Sequence, residues 1–201
     1  MTRKNPGNED LRVQRTHRLI LEALIELTVQ KGFSAVTVRD IARRAGINRA
    51  TFYRHYQDKF DLLDQYIQEV YQLPDIPTAT GGTLTGKVTL DEPVSGLARM
   101  FTHIRAHAKF YRVMLGQKGD PAFAEKVRQY IQKRIRRSLP QELISDEKTV
   151  DLYLNFISSG SLGVVLWWLE NGMPYSPEQM AAISYRLSLE NLTAIIEQVR
   201  S

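Results

Sequence analysis

The chain has 201 residues, 43% of them hydrophobic, with a mean hydropathy of -0.31. That is enough apolar material for one or two compact domains, which excludes wholesale disorder, and the absence of cysteine excludes disulfides and thiolate chemistry. Residues 1–60 hold 12 Lys/Arg against 6 Asp/Glu and residues 61–201 hold 15 against 16, so the net charge of +5 comes from the first third. A localised basic block suits a polyanion, with a solvated basic face as the plain alternative on charge alone.

The first ten residues carry no apolar run behind Arg3 and Lys4, so no signal peptide is expected and a cytoplasmic location is. Residues 1–12 read as a flexible arm. Ile20, Ala23, Leu24 and Leu27 then follow helical spacing up to Lys31-Gly32. Val38, Ile41, Ala42 and Ala45 repeat it over a short helix with Thr37 as N-cap and Gly46 at its end. Asn48 caps a third helix through Tyr56, and a fourth runs from about Lys59 to Leu73, where Pro74 stops it. Prolines, glycines and threonines mark residues 74–93 as a long loop.

Helical spacing resumes at Leu97, Met100, Phe101, Ile104, Ala108 and Tyr111, and again at Phe123, Val127, Tyr130, Ile131 and Ile135. Residues 152–169 are apolar nearly all round, which predicts a buried helix rather than a membrane span, since four Asn or Ser residues interrupt it. Ser176 and Pro177 open a last helix to about Val199. No segment alternates as a strand. The fold class is all-α: a three-helix helix-turn-helix domain, then a helical bundle.

Residues 37–56 are a helix, a tight glycine turn and a second helix. Ala42 and Ala45 permit close helix approach, Gly46 supplies the left-handed turn, and Ile47 fills the gap between the helices. The exposed positions expected on the second helix are Arg49, Thr51, Tyr53, Arg54 and His55, with no acid among them. Such a surface suits entry into the major groove, with Arg and Thr reading base edges and Tyr and His on phosphates. A charged helical hairpin in an ordinary α-protein has the same spacing.

The run from Thr37 to Tyr56, followed by Asp58-Lys59 and Leu62-Leu63, resembles the DNA-binding domain of the tetracycline-repressor (TetR) family over residues 13–73. The resemblance implies that Arg49, Ala50 and Thr51 face base edges and that Thr37, Tyr53, His55 and Lys59 grip phosphates. Arg54 falls at a variable position of the surface. Phe52 matches a buried aliphatic position, and Tyr56 stands where Phe is more usual. It further implies a homodimer that binds an operator in double-stranded DNA, is released by a small-molecule effector, and needs no cofactor.

Residues 94–201 match the family in outline as an effector-binding and dimerisation domain. Gly160, Gly163, Trp167, Leu192, Ile195 and Ile196 are the expected dimer interface, with packing inside one chain as the alternative. The C-terminal half resembles that of the dihydroxyacetone-kinase regulators. The effector pocket is expected at Met100, Phe101, Ile104, His107, Tyr111 and Met114, which mix aromatic rings, pliable Met and one titratable group. Simple core filling accounts for the same residues, and a C-terminal half that docks a protein coactivator is a further alternative.

Three features read as decoys. Gly81 to Val88 nearly spells a phosphate-binding loop, but Val88 stands where Ser or Thr should bind magnesium, and Pro93 is expected to interrupt the following helix. His103 and His107 lack a third ligand nearby in sequence, so no metal is expected. Lys133, Arg134, Arg136 and Arg137 form a solvated basic face or bind an acidic effector. With no nucleophile–base constellation in view, an enzyme is not expected.

Overall fold

The computed structural model describes the backbone of residues 6–71, 91–116, 119–139 and 147–200, and their side chains except 6–10, 91–93, 138 and 189–200. Among the described residues there are nine α-helices and no strand. They are α1 (Pro6–Lys31), α2 (Val38–Arg44), α3 (Arg49–His55), α4 (Lys59–Val70), α5 (Asp91–Ala106), α6 (Ala108–Leu115), α7 (Pro121–Ser138), α8 (Glu147–Glu170) and α9 (Pro177–Arg200). A short 3-10 turn at Phe33–Ala35 sits between α1 and α2.

The chain divides into two compact units, Met1–Ile67 with Lys109–Asp120, and Gln68–Ala108 with Pro121–Ser201. In the first, Ile20, Leu24, Ile41, Phe52, Leu62 and Leu63 are buried where α1 to α4 converge. α6 belongs to this unit, although the sequence pattern groups it with the second domain. The physical reason is aromatic packing: Phe110 meets Tyr66 edge-on at 5.6 Å, and the buried hydroxyls of Tyr66 and Tyr111 lie 3.3 Å apart.

In the second unit α5 packs along α9, and Trp168 is fully buried with its ring edge-on to Phe101 at 5.3 Å. A second apolar cluster joins α7 to α8 through Ile135, Leu139, Val150, Tyr153, Leu154 and Ile157. The Ser176 side chain accepts the Gln179 N–H while Gln179 Oε1 accepts the Ser176 N–H, a reciprocal cap that starts α9.

Four sequence expectations change. Helix α1 begins at Pro6, inside the expected arm, and proline suits a first helical position because its missing N–H has no partner there. Helix α5 begins at Asp91, so Pro93 lies in its first turn and does not interrupt it. The helical spacing from Leu97 to Tyr111 hides a break at His107 between α5 and α6. Finally, α8 is not buried all round. It is long and apolar enough to cross a membrane by length and composition, with a mean hydropathy of 1.4 over an 18-residue window, yet only 39% of that window is buried. Leu152, Phe156 and Trp167 are 73%, 60% and 47% exposed. The residues from Gly81 to Val88 lie outside the described ones.

The turn between α2 and α3 is closed by two backbone bonds, Ile47 N–H to Ala42 O (3.0 Å) and Gly46 N–H to Arg43 O (3.3 Å), with Gly46 at φ +67°. This is the Schellman arrangement, which needs a left-handed residue after the last helical turn. A Cβ built on Gly46 meets nothing within 4 Å, so the penalty for a side chain is backbone strain and not a clash. Gly46→Ala is expected to cost about 1–2 kcal/mol in urea denaturation, and Gly46→Asn less, because Asn tolerates this backbone region.

Candidate nucleic-acid interface

The residues of α2 and α3 are held by local chemistry that begins at Thr37. Its hydroxyl donates to Asp40 Oδ2 (2.7 Å) and accepts the Asp40 N–H (3.2 Å), while its own N–H donates to Asp40 Oδ2 (3.1 Å). Lys31 Nζ adds an ion pair to Asp40 Oδ2 at 2.7 Å, and Arg43 pairs with Asp40 Oδ1 at 3.3 Å. The Lys31 bond first, then the Thr37 bonds, hold the Asp40 carboxyl well below the usual carboxylate range. Asn48 caps α3 by accepting the Ala50 N–H at 2.9 Å.

Helix α3 buries Phe52 completely, as the sequence predicts, and Tyr56, the residue just after the helix, is almost completely buried. The Tyr56 hydroxyl, extra relative to Phe, bonds His17 Nδ1 on α1, and the two rings lie 5.9 Å apart. Tyr56 therefore ties the end of α3 to α1.

Arg49, Ala50, Tyr53 and Arg54 are exposed, and Thr51 and His55 are half-buried. These six expected residues thus take every position of one short helix but that of the buried Phe52. The Arg49 guanidinium lies 5.9 Å from the centre of the Tyr53 ring, within reach of a cation–π contact that restrains it. Burial first, then the Arg54 and His17 charges, hold the His55 imidazole below its ordinary value of 6.5, so it is neutral at pH 7 and offers a hydrogen bond without charge.

Two expected phosphate contacts are differently placed. The Thr37 hydroxyl spends its only proton on Asp40. Lys59 Nζ donates to three backbone carbonyls, those of Phe33 (2.9 Å), Ser34 (3.1 Å) and Val36 (2.9 Å). Its ammonium has three N–H groups, so all are used.

Pairing sorts the other cations. Arg43 is matched by Asp40 and Arg44 by Glu26 at 2.6 Å. For Arg39, Arg49 and Arg54 no carboxylate partner is found among the described residues, and all three are exposed. Sequence reasoning missed Arg39. Its signal was available: a cation in the first turn of a helix faces the positive end of the helix dipole and is disfavoured there unless an anion compensates.

Elsewhere, the His103 and His107 rings lie 4.6 Å apart, and burial, then His107, pushes His103 down to about 4. Among the described residues no group of three or more His, Asp or Glu is placed to hold a metal. Arg136, in the basic patch of α7, pairs with Asp151 (2.9 Å) and Glu147 (3.4 Å) on α8, beside an open groove of about 300 Å³.

Residues 20–66 match the model of bacterial regulatory proteins of the tetR family, and residues 91–189 match that of the transcriptional regulator C-terminal region. The chain belongs to the TetR family. It is 27% identical over 173 residues to the uncharacterised HTH-type transcriptional regulator YxbF of Bacillus subtilis, covering 86% of this chain and 44% of YxbF. The chain thus spans less than half the length of that relative. Among solved structures, NalD of Pseudomonas aeruginosa, the secondary repressor of the MexAB-OprM multidrug efflux pump, has a TM-score of 0.56 at 19% identity. The match covers 89% of this chain and 96% of NalD. The dihydroxyacetone kinase operon activator DhaS has a TM-score of 0.55 at 14% identity, covering 89% and 97%. Both likenesses show a shared fold, and DhaS bears out the resemblance read from the sequence.

The Asp40 network gives this TetR-family domain an acid limit. Because the folded carboxyl titrates below its ordinary value of 3.8, its stabilising charge is complete above that value and is lost as pH falls below it. Asp40→Asn is therefore expected to lower stability at neutral pH, with the deficit against the unaltered protein shrinking as pH drops below about 4. Chemical denaturation at a series of pH values checks this, and a deficit independent of pH contradicts it.

Proposed function

We propose that the chain is a cytoplasmic transcriptional regulator that grips a palindromic operator as a homodimer and releases it when a small-molecule effector binds. The observation that carries the DNA-binding part is the sorting of cations just described. Arg39, Arg49 and Arg54 stay exposed without an acid among the described residues, on two helices joined by a tight turn. Arg49 with Ala50 and Thr51 reads base edges, and Arg39, Arg54, Tyr53 and His55 meet the backbone.

The homodimer is supported by α8. Leu152, Phe156, Gly160, Gly163 and Trp167 follow steps of 4, 4, 3 and 4 residues and are all exposed, which makes one apolar stripe with small residues at its middle. Ile183 and Leu187 add an exposed pair on α9. Leu192, Ile195 and Ile196 continue that helix, but their side chains lie outside the described ones. A two-fold dimer of this kind requires half-sites about one DNA turn apart.

The effector site is proposed at Met100, Phe101, Ile104 and His107 of the second unit; Tyr111 and Met114, expected with them from the sequence, belong to the first unit. All but His107 are buried, and His107 is half-buried at the break between α5 and α6. Regulation by release then means that an effector biases the spacing of two recognition helices.

Arg49→Ala is expected to weaken a selected operator by about 1–3 kcal/mol while leaving random duplex nearly unchanged. Equal losses on both, measured by fluorescence anisotropy, contradict base reading. Phe156→Ala/Trp167→Ala is expected to shift the species at micromolar concentration from dimer to monomer in sedimentation equilibrium. An unchanged dimer mass rules out the α8 stripe as the interface.

A further inference from the structure

The Lys59 ammonium occupies a cage that the DNA-binding reading does not require. Beyond its three carbonyls it lies 4.6 Å from the centre of the Phe33 ring and 5.3 Å from that of Phe60, and these two rings meet edge-on at 5.6 Å. Three acceptors at 2.9–3.1 Å satisfy every proton of the ammonium, and two ring faces offer it further negative potential.

The cage is built by the 3-10 turn. Gly32 at φ +79° and ψ 148° turns the chain out of α1, and the tight turn at Phe33–Ala35 leaves the carbonyls of Phe33, Ser34 and Val36 converging on one point. Three oxygens gathered in a half-buried place repel one another unless a cation sits among them. A compact ammonium with rotatable donors fits that convergence. A planar guanidinium fork does not, because its N–H groups diverge within one plane.

We propose that Lys59 is a positioning residue of the DNA-binding unit, locking the first residue of α4 to the turn that leads into α2, and that it does not contact phosphate. Val36 is followed directly by Thr37, the cap of α2, so the clamp fixes where the helix-turn-helix begins relative to α4. A displacement of α4 is then passed to Thr37 through one side chain. The inference rests on the DNA-binding reading for its effect on affinity, but the cage itself is testable without DNA.

The first measurement uses the unaltered protein and an amine-acylating reagent, with sites read by mass spectrometry. A clamped Lys59 is acylated at least about tenfold more slowly than the exposed Lys148 with no DNA present, since all its protons are held. Reactivity equal to that of Lys148 without DNA overturns the proposal, whether or not the protein proves to bind DNA. The second compares Lys59→Met and Lys59→Arg on a duplex selected from a random pool by the unaltered protein. Both are expected to bind about tenfold more weakly with an unchanged dependence of log Kd on log salt. Retained affinity in Lys59→Arg, or a slope reduced by about 0.9 in Lys59→Met, identifies a phosphate contact and overturns the clamp. Amide exchange at Val36 and Ile41 is expected to accelerate in both variants, and unchanged exchange also overturns it.

Discussion

Helices of seven residues do not persist alone in water, so α2 and α3 exist only through what holds them to longer neighbours. The ties at the start of α2 converge on the Asp40 carboxylate, which receives two bonds from Thr37, one from Lys31 at the end of α1 and one from Arg43 a turn later. A single negative charge thereby completes a helix cap, fastens two helices and offsets two cations that would otherwise repel. The placement of the surface that follows, from Gly46 to His55, inherits its precision from this group. Phe52 and the Tyr56–His17 bond then fix the far end of α3.

The same network divides the basic block by use. Lys31, Arg43 and Arg44 are matched by carboxylates, and Lys59 by carbonyls. Part of the positive charge seen in composition is thus paired within the fold, while Arg39, Arg49 and Arg54 have no carboxylate partner among the described residues. A surface whose charges were all presented would bind any polyanion indiscriminately, whereas a few cations on a rigid frame leave room for base contacts to matter.

Much of this was legible in the sequence because its causes are local. Thr37, Gly46 and Asn48 act within four residues of themselves, so the cap, the turn and the next cap could be read from spacing. The features that were not legible depend on distant groups. Helical spacing runs straight through His107, so it cannot reveal that the chain stops and restarts there. A lysine beside a helix-turn-helix reads as a phosphate ligand until the carbonyls of residues more than twenty positions away are seen to converge on it. The apolar run of α8 predicts burial, but periodicity cannot say whether the burying partner is the same chain. The assignment of α6 to the first unit likewise follows from aromatic contacts with Tyr66 that no local pattern encodes.

That assignment has a consequence for how the chain is made. The first unit is discontinuous in sequence, so a nascent chain that has emerged only through α4 leaves Tyr66 without the Phe110 and Tyr111 rings that cover it. The first unit therefore cannot complete its folding during synthesis until residue 120 is free of the ribosome, and a fragment ending at Val70 carries a bare apolar face.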